Sequence, residues 1–311
     1  MDKRINWIDI AKGIGIIIVV YWHSLKGVHR YIGFNNVIYF AQTKLFDCFC
    51  MAMFFMISGF FVSSWSSKPF VKALIVKARS LLVPYIIWSF IQGLAMLVVH
   101  AGNITWKSLM LIPFFTIDQM WFIYDLFIIF ILFYVLRRLF HNPNVLLVVS
   151  FLLCVASPVM TFWKIGSVFY YFFFFEVGNY WKLKIGLRSF ENRLILISSF
   201  LLFIVVYYIN ARINSSNIIL RIIIAILGSI FVISLSTKIY NKLLAKIGRA
   251  SMYIYILHFL FMAPTYIVLS KIKFDIAWIA IIISFLVGLI IPLLIYELLP
   301  QGKLRKICFG R

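Results

Sequence analysis

The sequence predicts an all-α polytopic membrane protein with about ten transmembrane helices and both termini in the cytoplasm. Of its 311 residues, 64% are hydrophobic and 13% are charged, whereas a soluble domain has roughly half apolar and a quarter charged residues. Apolar runs close to the length that a helical span needs, about 20 residues, follow one another along the chain. This composition and this repetition together define the fold class.

The apolar runs divide the chain into its predicted elements. They lie at approximately 8–25, 39–64, 80–100, 121–137, 144–161, 166–181, 194–210, 218–236, 250–270 and 277–299. The first run lacks the cleavage site of a secretory signal, so we interpret it as the first span. The gaps are too short for a soluble domain. We therefore expect residues 1–311 to form a single transmembrane domain, with a core at about residues 5–300.

The basic residues support this order of spans. Most of the 30 Lys and Arg residues, which give a net charge of +21, fall in segments that a cytoplasmic N-terminus places on the inner side of the membrane. This distribution is the positive-inside pattern. We interpret the charge as topology and contact with membrane lipids. We expect no nucleic-acid partner, because no recognition motif accompanies the charge.

Cysteine spacing indicates neither a disulfide framework nor a metal site. The four cysteines are Cys48, Cys50, Cys154 and Cys308. One residue between Cys48 and Cys50 does not match the spacing of a zinc knuckle. We expect all four to be small buried side chains, and no metal is predicted.

Ionisable residues inside or beside the apolar runs are candidates for a functional site, because charge is costly in a bilayer. The alternative for any one of them is a structural polar residue or a side chain that extends to the membrane surface. They are Asp9, Lys12, His23, Asp47, Asp125, Glu176, His258 and Glu297. For Asp125 and Glu176 the sequence suggests nothing beyond pairing.

Lys12 and His23 share one face of the first predicted helix. Eleven residues correspond to a rotation of about 20° beyond three full turns and a rise of about 16 Å. Asp9 precedes Lys12 by three residues and can pair with it. The helix therefore carries a cation toward the cytoplasmic side and an imidazole toward the outer side.

This pair suggests a chemistry. A cation near the cytoplasm suits an anionic cofactor, and a neutral imidazole in a dry cavity can act as general base on a hydroxyl. The spacing of about 16 Å also suits a long, thin donor that enters from the cytoplasm. The structural alternative remains open, in which Lys12 extends to the membrane surface and His23 belongs to a polar cluster.

Six segments of the chain form a recognisable series of motifs. They are, in order, WIDIAKGIGIIIVVYWHS, MAMFFMISGFF, KARSLLVPYIIW, MWFIYDLFIIF, IGRASMYIYILH and IYELLP. These segments resemble the motifs of the integral-membrane acyltransferase 3 family. The N-terminal segment is similar to the family's opening pattern of an acid, a basic residue and a histidine, on which Asp9, Lys12 and His23 fall. The resemblance extends from about residue 5 to about residue 300.

The resemblance implies roles for particular residues. It makes His23 the catalytic base, with His258 and Glu297 as further catalytic candidates. Glu297 either orients the imidazole or only marks a cytoplasmic helix end, and His258 is equally open between site and structure. The implied donor-binding residues are Lys12, Lys77, Arg79 and Tyr85. The implied supporting residues are Asp9, Ser58, Gly59, Trp121, Ser251 and Tyr255.

The chain departs from the family pattern at four positions. Lys12 replaces the commoner arginine, which keeps the charge but loses the bidentate geometry. Cys50 and Ala52 stand where histidine and proline are frequent, and Ser80 stands where a second basic residue is usual. The chain resembles the stand-alone type without an additional extracytoplasmic domain.

The resemblance implies a membrane O-acyltransferase of a bacterial cytoplasmic membrane. Its donor would be acyl-CoA, most often acetyl-CoA, and its acceptor a hydroxyl of a lipid-linked or surface glycan. A homo-oligomer is compatible with this function. The alternatives are a transporter or flippase for a lipid-linked saccharide, and a structural subunit of an export complex.

Overall fold

The structure is a computed structural model that describes residues 5–99, 104–213 and 217–310. Every regular element within these ranges is a helix. In chain order the α-helices are α1 (Asn6–Tyr31), α2 (Asn36–Gly59), α3 (Val62–Ser66), α4 (Phe70–Lys77), α5 (Val83–Val98), α6 (Trp106–Met110), α7 (Trp121–Leu139), α8 (Pro143–Ala156), α9 (Ile165–Tyr180), α10 (Arg193–Ile213), α11 (Ile218–Lys238), α12 (Lys242–Arg249), α13 (Ser251–Lys271), α14 (Ala277–Leu298) and α15 (Lys303–Phe309).

Short 3₁₀ and π-helical turns join or extend several of these helices. The π-helical turns are Ala78–Leu82, between α4 and α5, and Trp181–Ile185, after α9. The 3₁₀ turns are Asp118–Met120, Ser157–Val159 and Leu187–Glu191. A π-helical turn changes the direction of the side chains that follow it and is frequent at functional sites.

All ten apolar runs predicted from the sequence form helices. Eight helical stretches in the described ranges are long and apolar enough to cross a membrane. The other two runs form the shorter apolar helix Pro143–Val159 and α9, which has 16 residues. Pro158 accounts for the early end of α8, because proline disfavours a helical residue before it. The chain is thus an all-α polytopic membrane protein, as predicted, and eight helices of the described ranges are long and apolar enough to span a membrane by length and composition.

The described helices group into two compact units. Unit 1 comprises Met1–Ile57 and Trp181–Leu298, and unit 2 comprises Ser58–Tyr180 and Leu299–Arg311. The predicted site residues of α1, α13 and α14 therefore belong to unit 1. Those of α4, α5 and α7 belong to unit 2.

Helix α1 is the centre of unit 1. It packs against α11, α12, α13 and α14. Its most apolar stretch is 61% buried, compared with 28% for α14 and 11% for α10. The outer helices expose their large apolar side chains instead, as expected where lipid is the solvent. The helix that carries Lys12 and His23 is therefore enclosed by protein.

Unit 2 has an aromatic core between α7 and α9. Phe130 and Phe133 of α7 meet Phe175 of α9 edge to face, with ring centroids 5.0 and 5.6 Å apart. Gly59, at the end of α2, lies against the same part of α9, where a Cβ would overlap the carbonyl oxygen of Phe175. The structure thus gives the predicted supporting residue Gly59 a packing role.

Candidate active site

The face of α1 that was predicted from the sequence is present in the structure. Asp9, Lys12 and His23 lie on one uninterrupted α-helix, Asn6–Tyr31. The axial separation of about 16 Å between Lys12 and His23 therefore holds. Asp9 is buried, and the side chains of Lys12 and His23 are half-buried.

The Lys12 end of α1 is held against the short helix α12. A Cβ at Gly13 would overlap the carbonyl oxygen of Leu244, and a Cβ at Gly248 would overlap the carbonyl oxygen of Asp9. The two backbones therefore touch across a pair of glycines, one in each helix. This is the way small residues allow close helix packing in membranes.

Helix α12 brings further cations to this end of unit 1. Its basic side chains are the exposed Lys242, the half-buried Lys246 and the half-buried Arg249. Lys246 forms an ion pair with Glu297 of α14. Together with Lys12, these residues give the region an excess of positive charge, which suits a polyanionic ligand.

Glu297 lies in the last turn of α14, and its carboxylate pairs with the ammonium group of Lys246. Both side chains are more than a third exposed, at 36% and 39%. This placement agrees with the interpretation of Glu297 as a charged helix end. Its role as a catalytic residue stays a prediction.

The His23 end of α1 contains a pair of imidazoles. The ring of His23 lies 5.1 Å from the ring of His258 of α13, centroid to centroid, at an angle of 55°. Phe259 packs edge-on against His23 at 6.2 Å, and the neighbouring indole of Trp22 lies at 4.6 Å. Lys26 places its ammonium over Trp22, 4.1 Å from the ring centroid. Two of the predicted catalytic residues are therefore neighbours.

Hydrogen bonds define the tautomer of His258. Its Nδ1 lies 3.0 Å from the carbonyl oxygen of Ile254 and 2.7 Å from that of Tyr255. Because a carbonyl oxygen only accepts, the proton of the neutral ring is assigned to Nδ1, and Nε2 carries the lone pair. His258 is fully buried, and within the described residues its Nε2 has no hydrogen-bond partner.

The other predicted residues of α13 lie in the first turns of that helix. Ser251 begins α13 and is buried. Tyr255 is buried as well, with its ring 6.1 Å from that of His258. Its carbonyl oxygen is one of the two acceptors for His258 Nδ1. Tyr255 therefore supports His258 through its backbone.

Lys77 of unit 2 lies in an aromatic cage. It ends α4, immediately before the π-helical turn Ala78–Leu82. Its Nζ is 3.4 Å from the ring centroid of Phe130 and 5.6 Å from that of Trp65. Such cation–π contacts stabilise by about 0.5–2 kcal/mol. A phosphate bound by Lys77 would have to compete with this contact.

The remaining predicted residues of unit 2 differ in exposure. Arg79 is exposed. Tyr85 is fully buried, and its hydroxyl donates to the carbonyl oxygen of Ile112 at 2.6 Å. Trp121 begins α7 and lies against Tyr171, with ring centroids 5.3 Å apart. Ser58 is half-buried near the end of α2. Of these residues, Arg79 has the most exposed side chain.

Two buried acids of unit 2 that had no predicted role are fully enclosed. Glu176 accepts from the side-chain amide of Asn179, which lies 3.1 and 3.2 Å from its two oxygens. Asp125, on α7, is equally buried.

No group of three or more His, Cys, Asp or Glu side chains in the described ranges is arranged to hold a metal ion.

Sequence reasoning missed the cation-bearing helix α12 and the close approach of Gly13 to it. The available signal was a pair of glycines. Gly13 stands beside a charged residue in an apolar run, and Gly248 belongs to the motif IGRASMYIYILH. Nothing in the sequence paired these glycines, because the contact joins segments far apart along the chain.

The helical architecture and the charged face of α1 define a class: a multi-pass membrane protein with charged and polar side chains enclosed among its helices. The acyltransferase 3 family model, described as an acyltransferase domain, matches residues 5–297. The chain belongs to this family and is therefore a membrane acyltransferase, which confirms the resemblance found in the sequence. No curated protein and no solved structure matches the chain.

Proposed function

We propose that the protein transfers an acyl group, foremost acetyl, from acyl-CoA to a hydroxyl of a lipid-linked or surface glycan in a bacterial cytoplasmic membrane. The observation that carries the proposal is the enclosed face of α1. It holds Lys12 among the cations of α12 and, eleven residues further on, His23 beside a second imidazole. The proposed donor site and the proposed base thus share one helix.

Lys12 is proposed to bind the donor. Coenzyme A carries phosphates at one end of a long, thin arm, and phosphates bind best where several cations converge. Lys12, Lys242 and Arg249 supply positive charge at this end of unit 1. Asp9, one turn from Lys12, is proposed to direct its side chain. On the predicted topology this end faces the cytoplasm. The acyl arm then extends along α1 toward His23.

His23 is proposed to act as the general base. It takes the proton of the acceptor hydroxyl as the oxygen attacks the thioester carbonyl carbon. A carbon–oxygen bond forms, the carbon–sulfur bond breaks, and the departing thiolate receives the proton that His23 took from the hydroxyl. The half-buried position of His23 limits competition from water, which would otherwise take the acyl group.

Donor binding is proposed for Lys77 and Arg79 as well, supported by their sequence pattern and by the exposure of Arg79. Tyr85 is proposed to support this segment, because its hydroxyl is already bound to the carbonyl oxygen of Ile112. These residues lie in unit 2 and are tested separately from Lys12.

The test measures transfer of labelled acetyl from acetyl-CoA to a cell-envelope glycan by the purified protein in lipid nanodiscs. We expect the parent to transfer label and His23→Ala to lose at least about 100-fold in rate, the lower range for a general base. His29→Ala is the matched control, since His29 lies on the same helix and stacks on Tyr39 with ring centroids 3.7 Å apart. It should keep the parent rate.

Two results would overturn the proposal. The first is a parent protein that transfers no label, which would favour the transporter alternative if the glycan still crossed the membrane. The second is a His23→Ala variant as active as His29→Ala.

A further inference from the structure

His258 has a buried ring nitrogen with an unused lone pair. Backbone carbonyls of Ile254 and Tyr255 occupy its Nδ1. Its Nε2 has no hydrogen-bond partner in the described part of the chain, although His258 is fully buried. A buried polar atom without a partner costs about 1–3 kcal/mol. A group that donates a hydrogen bond to Nε2 would remove this cost.

His23 is placed to become that partner. A ring nitrogen lies little more than one ångström from the centroid of an imidazole, so a centroid separation of 5.1 Å leaves room for an N–H···N bond of about 3 Å. The rings are tilted by 55°. Because His23 is only half-buried, its ring is the one that can rotate into line.

The surroundings hold His258 in place for this contact. Gly288 of α14 brings that helix close to α13 and α1, since a Cβ there would lie 3.2 Å from both Met262 and Val20. Ser24 of α1 donates to the sulfur of Met262 at 3.0 Å. Packing thus fixes the backbone around His258 and leaves His23 as the adjustable member of the pair.

We propose that His258 is a positioning residue for His23, whose N–H it accepts at Nε2. This inference rests on the proposed function. The bond would hold the proton of neutral His23 on the nitrogen that faces His258 and turn the other nitrogen, with its lone pair, toward the acceptor hydroxyl. His258 would thus fill the orienting role that a carboxylate fills in Ser-His-Asp enzymes.

A neutral orienting group predicts a moderate effect. A triad carboxylate both fixes the tautomer and stabilises the charged imidazolium, and its loss costs about 10⁴-fold in rate. An imidazole fixes the tautomer but supplies no charge. We therefore expect removal of Nε2 to lower kcat by roughly 30-fold, well short of the triad value, and to leave donor binding unchanged.

Two substitutions separate the nitrogens of His258. His258→Asn places an amide N–H near Nδ1, where it can still donate to the carbonyls of Ile254 and Tyr255, but leaves nothing at Nε2. His258→Gln places an amide oxygen near Nε2, where it can accept from His23. We expect the Asn variant to lose about 30-fold in kcat with the KM for acyl-CoA within about twofold. The Gln variant should recover most of that loss.

Two results would overturn the inference. The first is a His258→Asn variant that keeps the parent kcat. The second is a His258→Gln variant that recovers none of the lost kcat although its melting temperature equals that of the Asn variant. The proposed function fails separately, when the parent transfers no label or His23→Ala stays active.

A spectroscopic measurement tests the proposed hydrogen bond between His23 and His258 even where His258 variants do not fold. Protein labelled with ¹⁵N at histidine is compared with its His23→Ala and His29→Ala variants. We expect the resonance of His258 Nε2 to shift when His23 is removed and to stay when His29 is removed. An unchanged Nε2 resonance in His23→Ala would overturn the inference.

Discussion

At its Lys12 end, α1 touches α12 backbone to backbone, and the side chains around the contact are lysines, an arginine and two acids. At its His23 end, the contacts are between rings: two imidazoles, an indole and a phenyl group. The first arrangement suits long-range attraction of an anion. The second suits a proton transfer that depends on the direction of a single nitrogen. On the proposed function, one helix thus separates recognition of charge from orientation of a base.

The largest expected effect is on the backbone contact at the Lys12 end. Gly248→Ala introduces a Cβ that overlaps the carbonyl oxygen of Asp9, so α12 has to move away from α1. We expect the variant to lose about 2–3 kcal/mol of stability, in the range of overpacked cores. Thermal denaturation in detergent measures this loss. Gly302→Ala is the control, because a Cβ at Gly302 meets nothing within 4 Å. Equal melting temperatures of the two variants would contradict a tight backbone contact between α1 and α12.

The next effect concerns the charge at that end. Lys12→Ala should raise the KM for acyl-CoA about tenfold, the equivalent of about 1.4 kcal/mol, because one phosphate contact is lost. Lys12→Arg keeps the charge and should stay within about threefold of the parent. Added salt should raise the KM of the parent and affect the Ala variant less. Arg30→Ala is the control, because Arg30 is exposed on the same helix. Equal KM values for acyl-CoA in Lys12→Ala and Lys12→Arg would remove Lys12 from the donor site.

A smaller effect is expected for the exposed cation of unit 2. Arg79→Ala should raise the KM for acyl-CoA about threefold, because an exposed charge is screened and contributes less than about 1 kcal/mol. Titration with acyl-CoA measures it, and Arg188→Ala serves as a comparison in another basic segment. If Arg79→Ala had no effect on the KM for acyl-CoA, donor binding by Arg79 would be refuted.

The smallest effect is expected for the ion pair of α12 and α14. Glu297→Gln should change stability by less than about 1 kcal/mol, because both members of the pair are more than a third exposed. Its transfer rate should stay within about twofold of the parent if Glu297 only marks a helix end. A fall as large as that of His23→Ala would instead place Glu297 among the catalytic residues, the other interpretation that the sequence allows.

Local features of the site could be predicted from the sequence. Lys12 and His23 belong to one helix, so their shared face follows from helical periodicity alone. The helical fold class follows from composition, and each predicted run is a helix. The length of α8 was overestimated, because Pro158 ends the α-helix at Ala156 while the apolar run continues. The predicted run 166–181 has the same length as α9.

Contacts between distant segments could not be predicted. The pairing of His23 with His258 depends on how α13 packs against α1, and one sequence carries no signal for that packing. The same holds for Lys77, whose cage residues Trp65 and Phe130 belong to other helices. Hydrophobic patterns indicate that such side chains are enclosed but do not identify their neighbours.

The most direct test of the division between the two ends of α1 is a comparison of steady-state kinetics for Lys12→Ala and His23→Ala under identical conditions. The account predicts that Lys12→Ala raises the KM for acyl-CoA with little change in kcat, and that His23→Ala lowers kcat with little change in that KM. It is contradicted if both substitutions change the same constant, because the two ends of the helix would then perform the same task.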